Sequence, residues 1–246
     1  MLTANEKNIV ITGASRGIGK AVAAVFAAEG NRLFLSSRNE VTLYNTVAEL
    51  QTQYPAALIK ARAADLSLKE NAIEFGKWIN SQTDTIDVLV NNAGIGPDAG
   101  KKPSESPISL IRETFDTNVF GLVELTQKLL PLLRKSEAGR IVNLSSILGS
   151  IKLNSDPNSP FGDWRSFGYN GSKAALNMFT ATLAYELRDT NIKVNSVHPG
   201  WVKTDLGGEA APLELPEGAK TSVRLATIGA DGPTGGYFHM DETLPW

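Results

Sequence analysis

Short apolar runs alternate along this chain with longer segments in which apolar residues recur every three or four positions. Runs of the first kind predict strands at 8–12, 32–36, 58–63, 87–90, 140–144, 193–197 and, briefly, 236–239. Segments of the second kind predict helices at 17–29, 40–53, 68–80, 107–134 and 166–188. Regular alternation of this type is typical of an α/β fold, a doubly wound parallel sheet with helices on both faces. We expect a single domain over residues 1–246.

Two segments interrupt the alternation and predict loops. The first, 149–165, contains two prolines and several Asn, Asp and Ser residues, and the second, 204–218, contains paired glycines and two prolines. A strand or helix of the same sheet is expected after each, so neither indicates a domain boundary. Long loops of a compact domain often cover a binding site. We therefore expect both segments to be substrate loops.

Composition narrows the classes of partner. The 246 residues carry a net charge of −2 with no basic run, so neither nucleic acid nor an anionic membrane is an expected partner. The absence of cysteine excludes disulfides and thiol catalysis, and no His, Asp and Glu residues have metal-ligand spacing, so no metal is expected. No apolar stretch approaches the roughly 20 residues that span a bilayer, and residues 1–7 lack a signal-peptide core. A cytoplasmic location is expected.

The first predicted strand runs into a glycine-rich turn and then an alanine-rich helix. Glycines there allow close approach of a pyrophosphate, which the amides of the helix N-terminus would bind. The turn therefore predicts a Rossmann-like dinucleotide site, although its glycine spacing differs from G-x-G-x-x-G and such turns are often purely structural. The candidate residues are Gly13, Ser15, Arg16, Gly17, Ile18 and Gly19.

The end of the second predicted strand indicates which dinucleotide. In this fold an acidic residue about 20 positions past the turn binds the ribose of NAD, whereas an arginine accommodates the 2′-phosphate of NADP. Here the strand ends in Ser37 and Arg38, with no carboxylate before Glu40, and Arg16 adds a second cation. NADP(H) is the predicted cofactor; the alternative is that both arginines are ordinary surface charges.

A tyrosine and a lysine stand four residues apart at the start of a predicted helix. Tyr169 and Lys173 therefore share one helical face. A free phenol has a pKa of about 10, and a neighbouring ammonium favours the phenolate, which would bring the hydroxyl closer to useful proton transfer. Because such pairs arise by chance in many helices, the spacing alone is weak evidence.

Taken together, these motifs resemble the short-chain dehydrogenase/reductase family over nearly the whole chain. The motifs in order are Thr12-Gly13-Ala14-Ser15-Arg16-Gly17-Ile18-Gly19, Asn91-Asn92-Ala93-Gly94, Ser146 after a strand, Tyr169-x-x-x-Lys173, and Pro199-Gly200. Their joint occurrence is specific, whereas each motif alone is not.

The resemblance implies four catalytic residues. Tyr169 is expected to be the general acid that protonates a carbonyl oxygen, and Lys173 to lower its pKa and hold the nicotinamide ribose. Ser146 is expected to orient the substrate carbonyl, with Ser145 as a rival for that role. Asn118 is expected to support a water chain to the lysine, the alternative being an ordinary helix hydrogen bond.

The resemblance also implies further cofactor contacts. Asp65, with Leu66 beside it, would bind the adenine, and Asn92 and Gly94 would line the adenosine ribose. Asn91 is expected to tie strands together instead. Near the nicotinamide carboxamide the resemblance places Pro199, Gly200, Val202 and Thr204.

Within the family, the stretch from His198 to Asp205 and the chain's end resemble NADPH-dependent carbonyl reductases, which reduce ketones, aldehydes or quinones. The interval from Ser146 to Tyr169 is longer than in tetrameric members. Such an insertion can block the helix face used for assembly, so monomer and homo-oligomer both stay open. Phe161 and Trp164 would then either cover the substrate or belong to a solvated loop.

Three other functions are alternatives to a carbonyl reductase. A dinucleotide-sensing binding protein would have no need of a complete catalytic set, and an NAD-dependent dehydrogenase is disfavoured by Arg38. A hydrolase using His198 or His239 with Ser146 or Ser172 would require a G-x-S-x-G elbow, which neither serine has. We expect His198 to pack at a strand end.

Overall fold

The structure, a computed structural model, describes residues 6–162 and 164–246. Residues 1–5, on which the signal-peptide argument partly rests, and position 163 of the first predicted loop lie outside the described residues. The sheet has the order β3-β2-β1-β4-β5-β6-β7-β8, and every pair is parallel except the last. The strands are β1 Asn8–Thr12, β2 Arg32–Ser36, β3 Leu58–Ala61, β4 Val88–Asn91, β5 Arg140–Leu144, β6 Lys193–Val197, β7 Tyr237–His239 and β8 Glu242–Thr243.

Helices cover both faces of this sheet. They are α1 Gly17–Ala28, α2 Glu40–Gln53, α3 Lys69–Gln82, α4 Ile108–Phe115, α5 Gly121–Leu133, α6 Ile151–Ser155, α7 Phe167–Glu186 and α8 Leu215–Ala226. Successive strand residues point to opposite faces, so Ile9 and Ile11 pack with α1 and α8 in one apolar core, while Val10 packs with α3 and α5 in another. The predicted doubly wound α/β fold is confirmed.

The prediction of one continuous helix at 107–134 is wrong, because the helix is interrupted. A π-helical segment, Asp116–Phe120, separates α4 from α5. The apolar periodicity continues through this segment, which is why the pattern hides it. π-Helical turns recur at functional sites, and this one carries Asn118.

Both predicted loops contain helices. The 149–165 segment follows a 3₁₀ turn, Ile147–Gly149, and includes the short α6, whose first turn is capped by the Ser150 hydroxyl. The 204–218 segment includes the start of α8, a helix that was not predicted from the sequence pattern. Glu214 and Glu217 form a capping box there, with Pro216 in the first turn. Proline is favoured in the first turn of a helix, so a residue taken for a breaker marks a helix start.

The strand order positions a crevice. From the adjacent strands β1 and β4 the chain winds outward in opposite directions across the sheet. In open parallel sheets ligands bind beyond the carboxyl ends of the strands at such a reversal. The segments that leave β1, β4, β5 and β6 at this edge carry the glycine turn, the Asn-Asn-Ala-Gly motif, the serine pair and Pro199-Gly200.

Candidate active site

A cleft of about 780 Å³ follows the carboxyl ends of the strands from β2 to β6. A volume of this size is ordinary for a cofactor site. Its wall contains nearly all of the site residues expected from the sequence: Gly13, Ser15, Arg16, Gly17, Ile18, Ser37, Arg38, Asp65, Leu66, Asn92, Gly94, Ser146, Tyr169, Lys173, Pro199, Gly200, Val202 and Thr204. Two expected residues, Gly19 and Asn118, lie behind the wall.

The glycine turn is held open by backbone geometry. Gly13 and Gly17 have φ angles of 65° and 57°, a region that residues with a side chain rarely adopt. The side-chain amide of Asn92 donates to the backbone carbonyl oxygens of Thr12 and Gly13 at 2.8 and 3.1 Å. A β-carbon on Gly19 would overlap the Gly13 oxygen. Gly19 therefore shapes the turn from behind, and Asn92 braces it.

The amino end of α1 fits an anion. Arg16 occupies the position before the first helical residue, and no side chain caps the amides there. Free amides at a helix N-terminus and the helix dipole both favour a bound phosphate. Together with the space that the glycines leave, this cradle fits the diphosphate of a dinucleotide.

The two arginines named above differ in their surroundings. Arg16 forms an ion pair with Asp205 of the loop after β6, and both side chains are exposed. Arg38 is exposed and has no ion pair among residues 6–162 and 164–246. Arg38 is therefore the cation that is available to a 2′-phosphate, whereas Arg16 would have to exchange Asp205 for it.

Lys173 lies buried beneath the centre of the cleft, with 3% of its surface exposed. Its ammonium donates a 2.6 Å hydrogen bond to the Leu144 carbonyl oxygen and lies 5.7 Å from the centre of the Tyr169 ring. Burial disfavours the charged form and lowers the pKa of Lys173 to about 8.

The effect on Tyr169 differs from the expectation. Burial raises the pKa of the Tyr169 phenol, and the hydrogen bond with Ser146 opposes that rise. The lysine was expected to lower this pKa. Burial of the phenol is instead the largest effect on this pKa, and the ammonium lies 5.7 Å from the ring centre, bonded to the Leu144 carbonyl oxygen.

The adjacent serines Ser145 and Ser146 form different hydrogen bonds. Ser145 is buried, and its hydroxyl donates to the Lys173 carbonyl oxygen at 3.3 Å, which braces α7 against β5. The Ser146 hydroxyl accepts from the Leu148 amide at 3.3 Å and bonds with Tyr169. Ser146 is therefore the serine that shares the site with the tyrosine.

Asn118 fixes the loop that follows β4. Its side chain accepts from the Ile95 amide and donates to the Ile95 carbonyl, both at 2.8 Å, and donates to the Ser172 hydroxyl at 3.0 Å. Gly94 fills the gap between Asn118 and Lys173, because a β-carbon there would lie 3.3 Å from the lysine nitrogen and 3.4 Å from the Asn118 Oδ1. Asn118 thus ties α7 to this loop directly behind the lysine.

The sequence as a whole matches a known protein family. The sequence profile of the short chain dehydrogenase family matches residues 7–214. The chain belongs to the short-chain dehydrogenase family. This is a family of oxidoreductases, and in this chain Tyr169 and Lys173 both line the cleft.

Three relatives illustrate how far the likeness extends. Short-chain dehydrogenase anuI of Penicillium roqueforti is 33% identical over 247 residues, which cover 98% of this chain and 97% of the relative. Carbonyl reductase Sniffer of D. melanogaster superposes with a TM-score of 0.84 at 30% identity, covering 98% and 100% of the two chains. A short chain dehydrogenase of Shigella flexneri 2a complexed with NADP gives 0.81 at 28% identity, covering 95% and 96%.

Asn91 and His198 lie in the structure as expected from the sequence. The Asn91 amide donates to Thr126 at 3.0 Å and to Asn143 at 2.9 Å, so it ties β4 to α5 and β5. His198 follows β6 with its ring 5.0 Å from that of His239. Burial, with a smaller contribution from His239, lowers the pKa of His198 to about 3.

In the part of the cleft that Asp65 lines, its carboxylate already accepts hydrogen bonds within the chain. One oxygen of its carboxylate accepts from the Ser67 amide at 3.0 Å and from the Ser67 hydroxyl at 2.7 Å. Leu66 is buried, and its carbonyl oxygen lies so close to Gly121 that a β-carbon there would overlap it. The start of α5 therefore packs directly behind this end of the cleft.

Aromatic residues of the 149–165 loop and of the segment that follows β6 line another part of the cleft. Trp164 and Trp201 lie with ring centres 6.1 Å apart, and the Trp201 indole donates to the Gly207 carbonyl at 2.7 Å. Phe161 and Leu206 complete this wall. Phe161 and Trp164 of the 149–165 loop therefore both line the cleft.

Several wall residues were missed by the sequence reading. Asn39 caps α2 by accepting from the Thr42 amide at 2.9 Å, a pattern of Asn before a helix that the sequence does carry. Other wall residues that the sequence analysis did not name carry no such signal: Ser36, Ala64, Ile95, Ala99, Gly100, Thr117, Ile147, Leu148, Ser166 and Leu215.

Over the described ranges 6–162 and 164–246, no three His, Cys, Asp or Glu residues are grouped to hold a metal ion. In the same ranges no helix has the length and apolar character needed to span a membrane.

Proposed function

We propose that this dehydrogenase reduces a carbonyl group, in a ketone, aldehyde or quinone, to an alcohol with NADPH and with Tyr169 as the general acid. One observation carries the proposal: the fold brings Tyr169, Ser146 and Lys173 together beside a glycine cradle. Asn118 braces this group from behind. Sniffer, which is named a carbonyl reductase, supports the reaction class by similarity.

NADP(H) is the cofactor that the chain and its relatives favour. The Shigella flexneri relative is complexed with NADP, and a short chain dehydrogenase of Escherichia coli CFT073, 27% identical, is complexed with NADPH. The free guanidinium of Arg38 suits a 2′-phosphate. When bound, a reduced nicotinamide supplies the hydride. The glycine turn would hold the diphosphate, Asp65 and Leu66 the adenine, Asn92 and Gly94 the adenosine ribose, and Pro199, Gly200, Val202 and Thr204 the carboxamide.

Tyr169 supplies the proton in this proposal. Burial raises the pKa of its phenol, so the hydroxyl is protonated at neutral pH and donates from its oxygen to the carbonyl oxygen of the substrate. The Ser146 hydroxyl orients that carbonyl beside the phenol. Lys173, still charged below a pH of about 8, offers donors to the ribose hydroxyls.

The loops 149–165 and 204–218 form the substrate side of the same domain in this proposal. Phe161, Trp164, Trp201 and Leu206 give that side an apolar character, which suits an apolar carbonyl compound. We include a cytoplasmic location in the proposal, as the absence of cysteine favours a reducing compartment.

The test is NADPH oxidation, followed by absorbance, with a panel of ketones, aldehydes and quinones. We expect Tyr169→Phe to lose about 100-fold or more of kcat, because general acid catalysis contributes about 10²–10⁴. Its Kd for NADPH, measured by fluorescence, should stay within about twofold of the parent, since the aromatic ring is kept.

Two outcomes would contradict the proposal. Tight NADPH binding without turnover on any carbonyl would favour a dinucleotide sensor. Equal use of NADH would remove the role assigned to Arg38.

A further inference from the structure

The loop after β4 contains a fully buried carboxylate, that of Asp98, with 0% of its surface exposed. Its two oxygens accept from the backbone amides of Gly168, at 2.6 Å, and Tyr169, at 3.0 Å. The Ser106 hydroxyl adds a longer bond of 3.4 Å. A buried carboxylate requires donors of this kind, because desolvation without them is costly. Both backbone donors belong to the first turn of the helix that carries Tyr169.

This carboxylate replaces a local helix cap. The residue before α7, Ser166, makes no side-chain bond to the first-turn amides. Helix caps normally come from the preceding residue, whereas Asp98 lies 70 residues from Gly168 in the chain. The negative charge also suits the positive end of the helix dipole. The start of α7 is therefore anchored to the β4 loop.

Gly168 makes the close approach possible. A β-carbon at that position would lie between 2.6 and 2.8 Å from the three carboxyl atoms of Asp98. Any side chain there would push the carboxylate away from both amides. The contact thus depends on a residue in each of two distant segments.

The same loop holds Tyr169 at a second place. A β-carbon on Gly96 would lie 3.0 Å from Cδ2 of the Tyr169 ring, so this glycine lets the loop pack against the ring. Ile95 is in turn fixed by the Asn118 side chain through both of its backbone groups. A rigid loop therefore contacts the tyrosine at its backbone and at its ring.

We infer that Asp98 is a positioning residue for Tyr169. The inference rests on the proposed function, since it concerns where the phenol lies relative to Ser146 and Lys173. Without the carboxylate, the first turn of α7 loses its acceptors, and the Tyr169 backbone is free to shift. A misplacement of about 1 Å at a reacting group costs about 100-fold in rate.

The test compares Asp98→Asn, Gly168→Ala and the double variant. Asn has the size of Asp but only one acceptor oxygen, and the alanine methyl group displaces the carboxylate from the other side. We expect each single variant to lose about 10- to 100-fold in kcat, with the Kd for NADPH changed by less than about twofold. The double variant should lose no more than the worse single variant, because both changes break one contact. Amide exchange at Gly168 and Tyr169 should accelerate in all three.

Asp87→Asn is the matched control. The Asp87 carboxylate accepts from the Asn8 amide at 2.8 Å and from the Ser136 hydroxyl at 2.6 Å, at the amino ends of the strands, away from the cleft. We expect a comparable loss of thermal stability with kcat unchanged. A purely structural role for Asp98 predicts the same result for both aspartates.

The outcomes separate the two proposals. Parent turnover that Tyr169→Phe abolishes and Asp98→Asn retains within about twofold would overturn the positioning role and leave the reductase standing. Independent losses that multiply in the double variant would also overturn it. A parent without turnover on any carbonyl would overturn the proposed function, and the positioning role with it.

Discussion

At the scale of single residues, burial acts on Tyr169 and Lys173 in opposite directions. It raises the pKa of the phenol and lowers that of the lysine to about 8, because in each case the neutral form is favoured. A neutral phenol is the form that donates a proton. A neutral amine, however, has lost the charge that makes Lys173 a strong donor. The lysine therefore sets the upper pH limit of the arrangement.

The activity at alkaline pH should follow the charge of Lys173. We expect kcat/KM for the carbonyl substrate to fall about tenfold per pH unit above a pH of about 8, since that constant reports groups of the enzyme form that binds the carbonyl. In Lys173→Arg the guanidinium stays charged, so the fall in the remaining activity should move upward by more than about one pH unit. Initial rates at saturating NADPH between neutral and alkaline pH measure both curves.

Unfolding does not account for such a fall. A lysine in the unfolded chain has a pKa of about 10.4, and in the folded protein the pKa of Lys173 is about 8. Between these values the unfolded chain binds more protons, so this group makes the folded state more stable as pH rises. The check is the free energy of unfolding in urea, measured at a pH near 8 and at a pH near 10. If kcat/KM fell over the same alkaline pH range in the parent and in Lys173→Arg, the fall could not be assigned to Lys173.

At the scale of elements, the turn between β1 and α1 depends on glycines that pack on each other. Gly13 needs its positive φ angle, and Gly19 leaves no room for a β-carbon beside the Gly13 carbonyl. Asn92 reaches the same carbonyl from the β4 loop. The phosphate cradle is thus one packed unit built from two strand ends.

We expect Gly19→Ala to weaken NADPH binding about tenfold or more, because forcing a methyl group into a packed site costs about 1–3 kcal/mol. Fluorescence titration with NADPH measures the loss. Gly229→Ala is the control, since a β-carbon there meets no atom within 4 Å, and its Kd should equal that of the parent. Unchanged affinity in Gly19→Ala would show that the turn adjusts without cost.

At the scale of the whole molecule, the edge of the sheet opposite the cleft is held by one buried cation. Arg140 donates to the carbonyl oxygens of Ile228 at 2.9 Å, Gly139 at 2.7 Å, Asn191 at 3.1 Å and Gly229 at 3.1 Å. These carbonyls belong to three separate loops. Burial lowers the pKa of the guanidinium, which nonetheless remains charged because arginine titrates far above neutral pH.

We expect Arg140→Met to lower the free energy of unfolding by about 3 kcal/mol, because buried carbonyls lose a charged donor. For a chain of this length that corresponds to a fall of about 6–12 °C in Tm. Arg140→Lys should not restore it, since an ammonium cannot reach four acceptors in a plane. Thermal unfolding measures the loss, and kcat should match the parent. A drop in kcat at a temperature where the variant is folded would contradict a purely structural role.

The sequence by itself determined the features that repeat or recur locally. Short apolar runs encode the buried strands and an apolar period of three to four residues encodes the helices, so the sheet was predicted strand by strand apart from the short β8. The Tyr-x-x-x-Lys spacing places both side chains on one face within a single helical turn. Asn91 lies between neighbouring strands, as its motif implied. In each case the signal lies within a few residues of the feature.

Only the tertiary structure decided what depends on distant segments. Asp98 caps a helix 70 residues away, and Arg16 pairs with Asp205 of another loop. The direction in which the pKa of Tyr169 shifts follows from burial of the phenol in the folded chain. Such contacts have no local period or spacing, because they arise only when packing of the helices on the sheet brings loop ends together.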